Sequence, residues 1–233
     1  MSVNSSLLIL IPLAYLAGSI PFGLIVGLSK GIDPRKSGSG NIGATNVSRV
    51  LGGKKYFFIV FFLDLFKSLI LMAIASALVL RVPAAQRDEH VYIHWLLVGF
   101  AAVLGHMFSV FLRFKGGKGV ATSAGVMLGL FPYFTWPGIV SIVVFLIVFY
   151  LWRYISLASM MGACVFPIAY IAIGLSRGWP VFGYQLPLLV FACIIAILIV
   201  FKHRTNIARL RAGTENRFTS KPAQPSVTPS KAA

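Results

Sequence analysis

The chain has 233 residues, of which 58% are apolar and only 11% charged, with a mean hydropathy of +0.87. Soluble domains carry about 25% charged residues, so that class is excluded and an all-α integral membrane protein is expected. The formal net charge of +16 sets 21 Lys and Arg against Asp33, Asp64, Asp88, Glu89 and Glu215; in a membrane protein such an excess reports topology, and no nucleic-acid partner is expected.

The first apolar run, Leu7 to Leu28, is long enough to span a bilayer at about 1.5 Å per residue. No Lys or Arg precedes it, which argues for an uncleaved helix rather than a signal peptide. Lys30, Arg35, Lys36, Arg49, Lys54 and Lys55 all follow it, so the segment after this helix is expected in the cytoplasm and the amino terminus outside.

That segment contains Ser37 to Arg49, SGSGNIGATNVSR, a stretch suited to holding an anion. Gly38, Gly40 and Gly43 permit positive φ and close approach of main-chain N–H groups to a phosphate. If the chain turns helical from Asn41, then Asn41, Thr45 and Arg49 share one face with Asn46 beside them, offering donors and one permanent cation. The string also matches GxGxxG, but that fingerprint needs a preceding strand and a reachable acid about 20 residues on. Here it follows a membrane-length run, and Asp64 lies inside the next one.

Tyr56 to Leu80 reads as a second span with Asp64 and Lys67 at i, i+3, expected to be a structural pair that neutralises itself. After an outer loop from Arg81 to His90, Val91 to Leu112 returns inward. It delivers Arg113-Phe-Lys-Gly116-Gly117-Lys118-Gly119, a second basic glycine-rich loop, to the same side as the first. This is not a Walker A loop, since Leu112 stands in place of its first glycine and Gly119 in place of its Ser or Thr. His90, His94 and His106 read as outer-loop or helix-packing residues.

Pro132 and Pro137 interrupt the apolar stretch from Val120 to Trp152. Two short crossings are expected there, because only then do nearly all basic residues fall on one side, leaving Arg81, Arg87 and Arg177 on the other. Leu157 to Leu175 and Gln185 to Phe201 complete seven spans, separated by an outer turn, and the basic tail from Lys202 returns to the cytoplasmic surface. Residues 1–218 read as one seven-helix domain and 219–233 as a disordered Pro- and Ser-rich tail. Cys164 and Cys193 sit in separate apolar runs and read as small core residues, and neither a metal site nor a cofactor is expected. The sequons at Asn4 and Asn46 carry no information.

On this topology the Ser37 to Arg49 stretch, the Arg113 to Gly119 loop, Arg153 to Ser156 and the His203 to Arg211 tail meet at one face. If the last helix continues past Phe201, His203 and Asn206 sit at i, i+3 and can address one ligand. GSGNIGATNVSR, then GGKGVAT, then HRTNIARLRAGTE resemble the three cytoplasmic motifs of the bacterial acyl-phosphate:glycerol-3-phosphate acyltransferases, over Leu7 to about Glu215. The resemblance implies a multi-pass enzyme of the bacterial inner membrane. It would transfer a fatty acyl group from acyl phosphate to the 1-hydroxyl of glycerol 3-phosphate, giving lysophosphatidic acid and phosphate. It implies further that Ser39 and Arg49 are essential, that Gly116 to Gly119 with Lys118 hold glycerol 3-phosphate, that His203 and Asn206 belong to the site, and that Glu215 is structural.

The residues fit this chemistry in their own right. A reaction between two phosphate-bearing molecules must hold two anions together, and Arg49, Lys118 and exposed amides offset their repulsion, with Asn41, Thr45, Asn46 and Ser156 as further binding residues. No HxxxxD motif follows any histidine, which excludes the acyl-CoA-dependent type. An acyl phosphate is already activated, so direct attack by the substrate hydroxyl is expected, with Ser39 and Asn206 positioning it. The departing phosphate, in preference to His203, would accept the proton. A membrane transporter for an organic phosphate is the runner-up, though no inverted repeat is found; a non-catalytic scaffold leaves the clustered polar motifs unexplained.

Overall fold

Away from water an apolar run satisfies its backbone N–H and C=O groups by coiling, and every long apolar segment here is helical. The structure, a computed structural model, describes residues 3–83 and 86–218. In chain order the helices are α1 (Val3–Ser19), α2 (Phe22–Leu28), α3 (Ala44–Leu51), α4 (Lys54–Val79) and α5 (Glu89–Met107). They continue through a short 3-10 turn (Val110–Leu112) to α6 (Val120–Gly129), α7 (Thr135–Trp152), α8 (Ile155–Ser176), α9 (Leu186–Lys202) and α10 (Arg204–Arg211). The expected disordered tail lies outside the described residues.

By length and composition 5 helical stretches can cross a membrane, α1 and α2 counting as one, and α9 with α10 makes a sixth bent by 56°. Between Val120 and Trp152, where two short crossings were expected, two helices form and only one is short. Pro137 sits in the first turn of α7, where a missing N–H costs nothing, and α7 runs its full 18 residues. The short member is α6, whose 10 residues reach about 15 Å, half of a typical hydrocarbon core. The chain nonetheless passes from one end of the bundle to the other there: Lys118, just before α6, bonds Asn206, while Tyr133, just after it, packs on Tyr92 and Trp179.

Helices approach closely where side chains are small, as expected when no hydrophobic force acts between them in lipid. α1 lies along α5 with Gly105 against the Tyr15 carbonyl, so that any Cβ there would overlap main chain. α4 is tied to α6 by Ser68 Oγ donating to the Thr122 carbonyl at 2.8 Å and Ser76 Oγ to that of Gly129 at 2.5 Å. Pro21, which has no N–H, separates α1 from α2, and the Ile20 carbonyl at this break accepts a hydrogen bond from Lys67 Nζ at 3.0 Å.

Candidate active site

The first polar stretch is wrapped around one side chain. Asn46, 2% exposed, accepts the Ser39 N–H at Oδ1 (2.8 Å) and donates through Nδ2 to the carbonyls of Pro34, Ser37 and Asn41. Gly38 and Gly40 take left-handed backbone, φ 62° and 70°, to make this turn. Gly43 does not; at φ −73° it caps α3, which therefore starts at Ala44 rather than Asn41. Asn41 reaches the site from the loop, its Oδ1 accepting the Gly43 N–H at 2.8 Å. The expected helical face from Asn41 to Arg49 is thus corrected to Thr45 and Arg49 on α3, and Asn46 spends its polar atoms on holding the loop.

The second loop folds back onto the end of α5, with the N–H groups of Gly116 and Gly117 donating to the Met107 and His106 carbonyls at 3.2 and 3.0 Å. This turns Lys118 inward, where Nζ donates to Asn206 Oδ1. Asn206 Nδ2 donates to Glu215 Oε1 (2.6 Å), which also accepts Ser156 Oγ (2.7 Å), while Arg209 Nε donates to Glu215 Oε2 (2.7 Å). One carboxylate therefore fixes the start of α8, the last helix and, through Asn206, the lysine.

His203 does not continue α9. The helix breaks at this residue, and Nδ1, against the Ile199 carbonyl at 2.8 Å, must carry the proton because a carbonyl only accepts. Nε2 is left with the lone pair. Burial, then the nearby Lys118 charge, pushes His203 down to about 4, so the ring is neutral at ordinary pH. Burial also lowers Lys118 to about 8, with Glu215 opposing and Arg209 and Arg49 adding to the shift. Arg49 is lowered by burial against the pull of Glu215. Burial raises Glu215, but its bonds to Arg209, Ser156 and Asn206 outweigh that and hold it below the usual range.

These elements surround a cavity of about 130 Å³. Ser39, Asn41, Thr45, Asn46 and Arg49 line it from the first loop and α3; Lys118 and Gly119 from the second loop; Ser156, His203, Asn206 and Glu215 from the far side. Asp64 lines it from α4. Gly116, Gly117 and Lys67 do not; they lie behind it. Among the described residues neither Arg49 nor Lys118 has an acidic partner within ion-pair distance, so the cavity holds uncompensated positive charge. The lining also includes four aromatic rings, Phe57, Phe61, Phe145 and Phe218.

Four polar residues of the wall, His106, Ser159, Arg209 and Asn216, are absent from the sequence-based site. Arg209 follows Asn206 by three positions, a helical spacing that does signal a shared face. His106 had been assigned to helix packing, as His94 is, bonded through Nδ1 to Asn4 Oδ1 at 3.0 Å. His106 instead sits at the cavity, and its local sequence carries no sign of that.

A sequence profile described as glycerol-3-phosphate acyltransferase matches residues 8–213. The chain is 43% identical over 215 residues to the glycerol-3-phosphate acyltransferase of Geotalea daltonii, covering 92% of this chain and 98% of the relative. It is 43% identical over 221 residues to that of Aquifex aeolicus, covering 91% and 98%. Its fold is similar to a crystal structure of PlsY (YgiH), an integral membrane glycerol 3-phosphate acyltransferase, in the glycerol 3-phosphate form, with TM-score 0.75 and 41% identity over 92% of this chain and 96% of that one. The lysophosphatidic acid form of PlsY aligns with TM-score 0.72 and 40% identity over the same shares.

Proposed function

Because this chain belongs to the glycerol-3-phosphate acyltransferase family, a family of multi-pass membrane enzymes, we propose that its donor is an acyl phosphate and that the acyl group goes to the 1-hydroxyl of glycerol 3-phosphate, giving lysophosphatidic acid and phosphate. The observation that carries this reading is one cavity lined both by two cations without acidic partners, Arg49 and Lys118, and by four phenylalanines. Arg49 and Lys118 suit two phosphate groups, and Ala44 and Thr45, the first two residues of α3, whose N–H groups precede the first intrahelical donor, line the same space. The rings suit an acyl chain.

The substrate hydroxyl attacks the acyl carbonyl carbon, and the bond from that carbon to the bridging phosphate oxygen breaks. The bridging oxygen leaves with the electron pair and takes the hydroxyl proton, so the phosphate departs as hydrogen phosphate and no protein base is consumed. His203, at about 4, is too weak a base to take that proton efficiently near neutrality, and its Nε2 lone pair instead accepts a hydrogen bond that orients the hydroxyl. Ser39 Oγ and the remaining N–H of Asn206 are assigned to positioning the reactants and polarising the carbonyl, and Ser156 and Glu215 to holding the wall. A trapped acyl-enzyme would overturn direct transfer.

Purified enzyme in detergent is expected to release phosphate from acyl phosphate only when glycerol 3-phosphate is present. Acyl-CoA should not replace the donor, and equal turnover with it would sink the donor assignment. The same assay separates an enzyme from a transporter, since no sealed compartment is needed. We propose further that residues 1–218 form one domain crossing the bacterial inner membrane seven times, with the cavity at the cytoplasmic end. This is supported by the basic residues gathered there, and labelling of Ser39→Cys from the periplasmic side would refute it.

A further inference from the structure

At one side of the cavity three ionisable side chains are buried together: Asp64 (3% exposed) on α4 and His106 (6%) at the end of α5, which line it, and Lys67 (8%) on α4 behind them. Lys67 Nζ has three acceptors, the Ile20 carbonyl at 3.0 Å, Asp64 Oδ1 at 2.7 Å and His106 Nδ1 at 3.0 Å, which matches the three donors of an ammonium. Since an ammonium only donates, Nδ1 of His106 accepts, its ring proton is on Nε2, and the ring cannot turn without leaving a buried N–H unsatisfied.

The edge of the ring so fixed meets the second glycine-rich loop. A Cβ on Gly117 would overlap His106 Nε2, and its three nearest atoms would all belong to that ring. A Cβ on Gly116 would overlap main chain instead, at the His106 carbonyl oxygen. Gly117 has no left-handed φ, so its lack of a side chain answers to the ring and not to its own backbone.

We propose that Lys67, with Asp64, locks the His106 ring as the seat of the Gly116–Gly117 turn, and that this seat aims Lys118 at the phosphate-bearing substrate. His106 is then a positioning residue, and the buried ion pair has a task beyond mutual neutralisation. The proposal rests on the reading that Lys118 binds glycerol 3-phosphate.

The test is a mutant cycle read as the KM for glycerol 3-phosphate in detergent, with monodispersity and Tm as controls for folding. Gly117→Ala is expected to raise KM about tenfold with kcat within about twofold, and His106→Ala to raise it several-fold. In the double variant the obstacle is gone, so KM should be no worse than in His106→Ala alone. Gly116→Ala should cost the same in either background, because its obstacle is a main-chain oxygen. His106→Gln, which fills the Nε2 side but offers Lys67 no acceptor at the Nδ1 position, and His106→Asn, which keeps the Lys67 bond but leaves the seat empty, should each raise KM, because the turn needs both the lock and the seat.

Additive penalties for Gly117→Ala and His106→Ala would overturn the proposal. So would a wild-type KM in the Asn variant, which would leave His106 merely satisfying Lys67, or in the Gln variant, which would make the Lys67 lock dispensable. Should His106→Ala fail to fold, the Gln and Asn pair still decides. Lys118→Ala run alongside separates the two levels: an unchanged KM there refutes phosphate binding by Lys118, while a raised KM with a silent cycle refutes only the positioning.

Discussion

At one end of the bundle Tyr92, Trp95, Tyr133, Phe134, Phe166 and Tyr170 fill the space between helices with rings whose centroids lie 4.9 to 6.2 Å apart, mostly edge to face. At the other end the same helices enclose a cavity with Arg49 and Lys118 on its wall. Tyr92 and His106 both belong to α5 and are about 21 Å apart along it, so the contrast is between the two ends of single helices. Packed rings stabilise through dispersion and burial, which here outweigh one unmet polar group, the buried Trp95 indole N–H. Half-buried cations without an acidic partner do the reverse, unless a ligand's charge meets them.

If that division holds, changes at the two ends have separable effects. Phe134→Ala should lower stability by about 3–5 kcal/mol, seen as a clear fall in Tm, while leaving KM unchanged; a raised KM would break the separation. Lys118→Ala should do the opposite, costing on the order of 100-fold in kcat/KM, about 3 kcal/mol, with little change in Tm.

A smaller effect follows from pH. Lys118 is depressed to about 8 by burial, so its charge is present at pH 7 and lost as pH rises through 8. KM for glycerol 3-phosphate should therefore climb about tenfold between pH 7 and 9, and Lys118→Arg should abolish that limb. No inflection from His203 is expected between pH 6 and 7, since it is already neutral there. The smallest effect is at Glu215→Gln, which keeps acceptors for Ser156 and Asn206 but removes the ion pair to Arg209. Because Arg209 is 37% exposed, the loss in kcat/KM should be only about two- to fivefold, within about 1 kcal/mol; a loss as large as that of Lys118→Ala would place Glu215 in the chemistry.

Part of the site was legible because its residues announce themselves locally. Gly38 and Gly40 beside Ser39, the glycines around Lys118, and His203 with Asn206 each stand within a few positions of one another, between runs of membrane length. Asn46 was legible as a site residue but not as the hub of its loop, because that role depends on carbonyls up to twelve residues away. Arg209 was within reach through its helical spacing to Asn206. His106 was not, since nothing in its neighbourhood distinguishes it from His94.

The one-dimensional chain thus determined the solvent this protein lives in, the order of its long apolar helices, and the polar segments expected to share one face. Those follow from run length, charge placement and glycine content, which are local quantities. Which side chains touch was decided only when the helices packed. The pairing of Lys67 with His106 across 39 residues, the fit of that ring to Gly117, and the link from Lys118 through Asn206 to Glu215 are distances between remote positions. Such distances are set by how helices seat against one another, a property of the whole core that no single segment encodes.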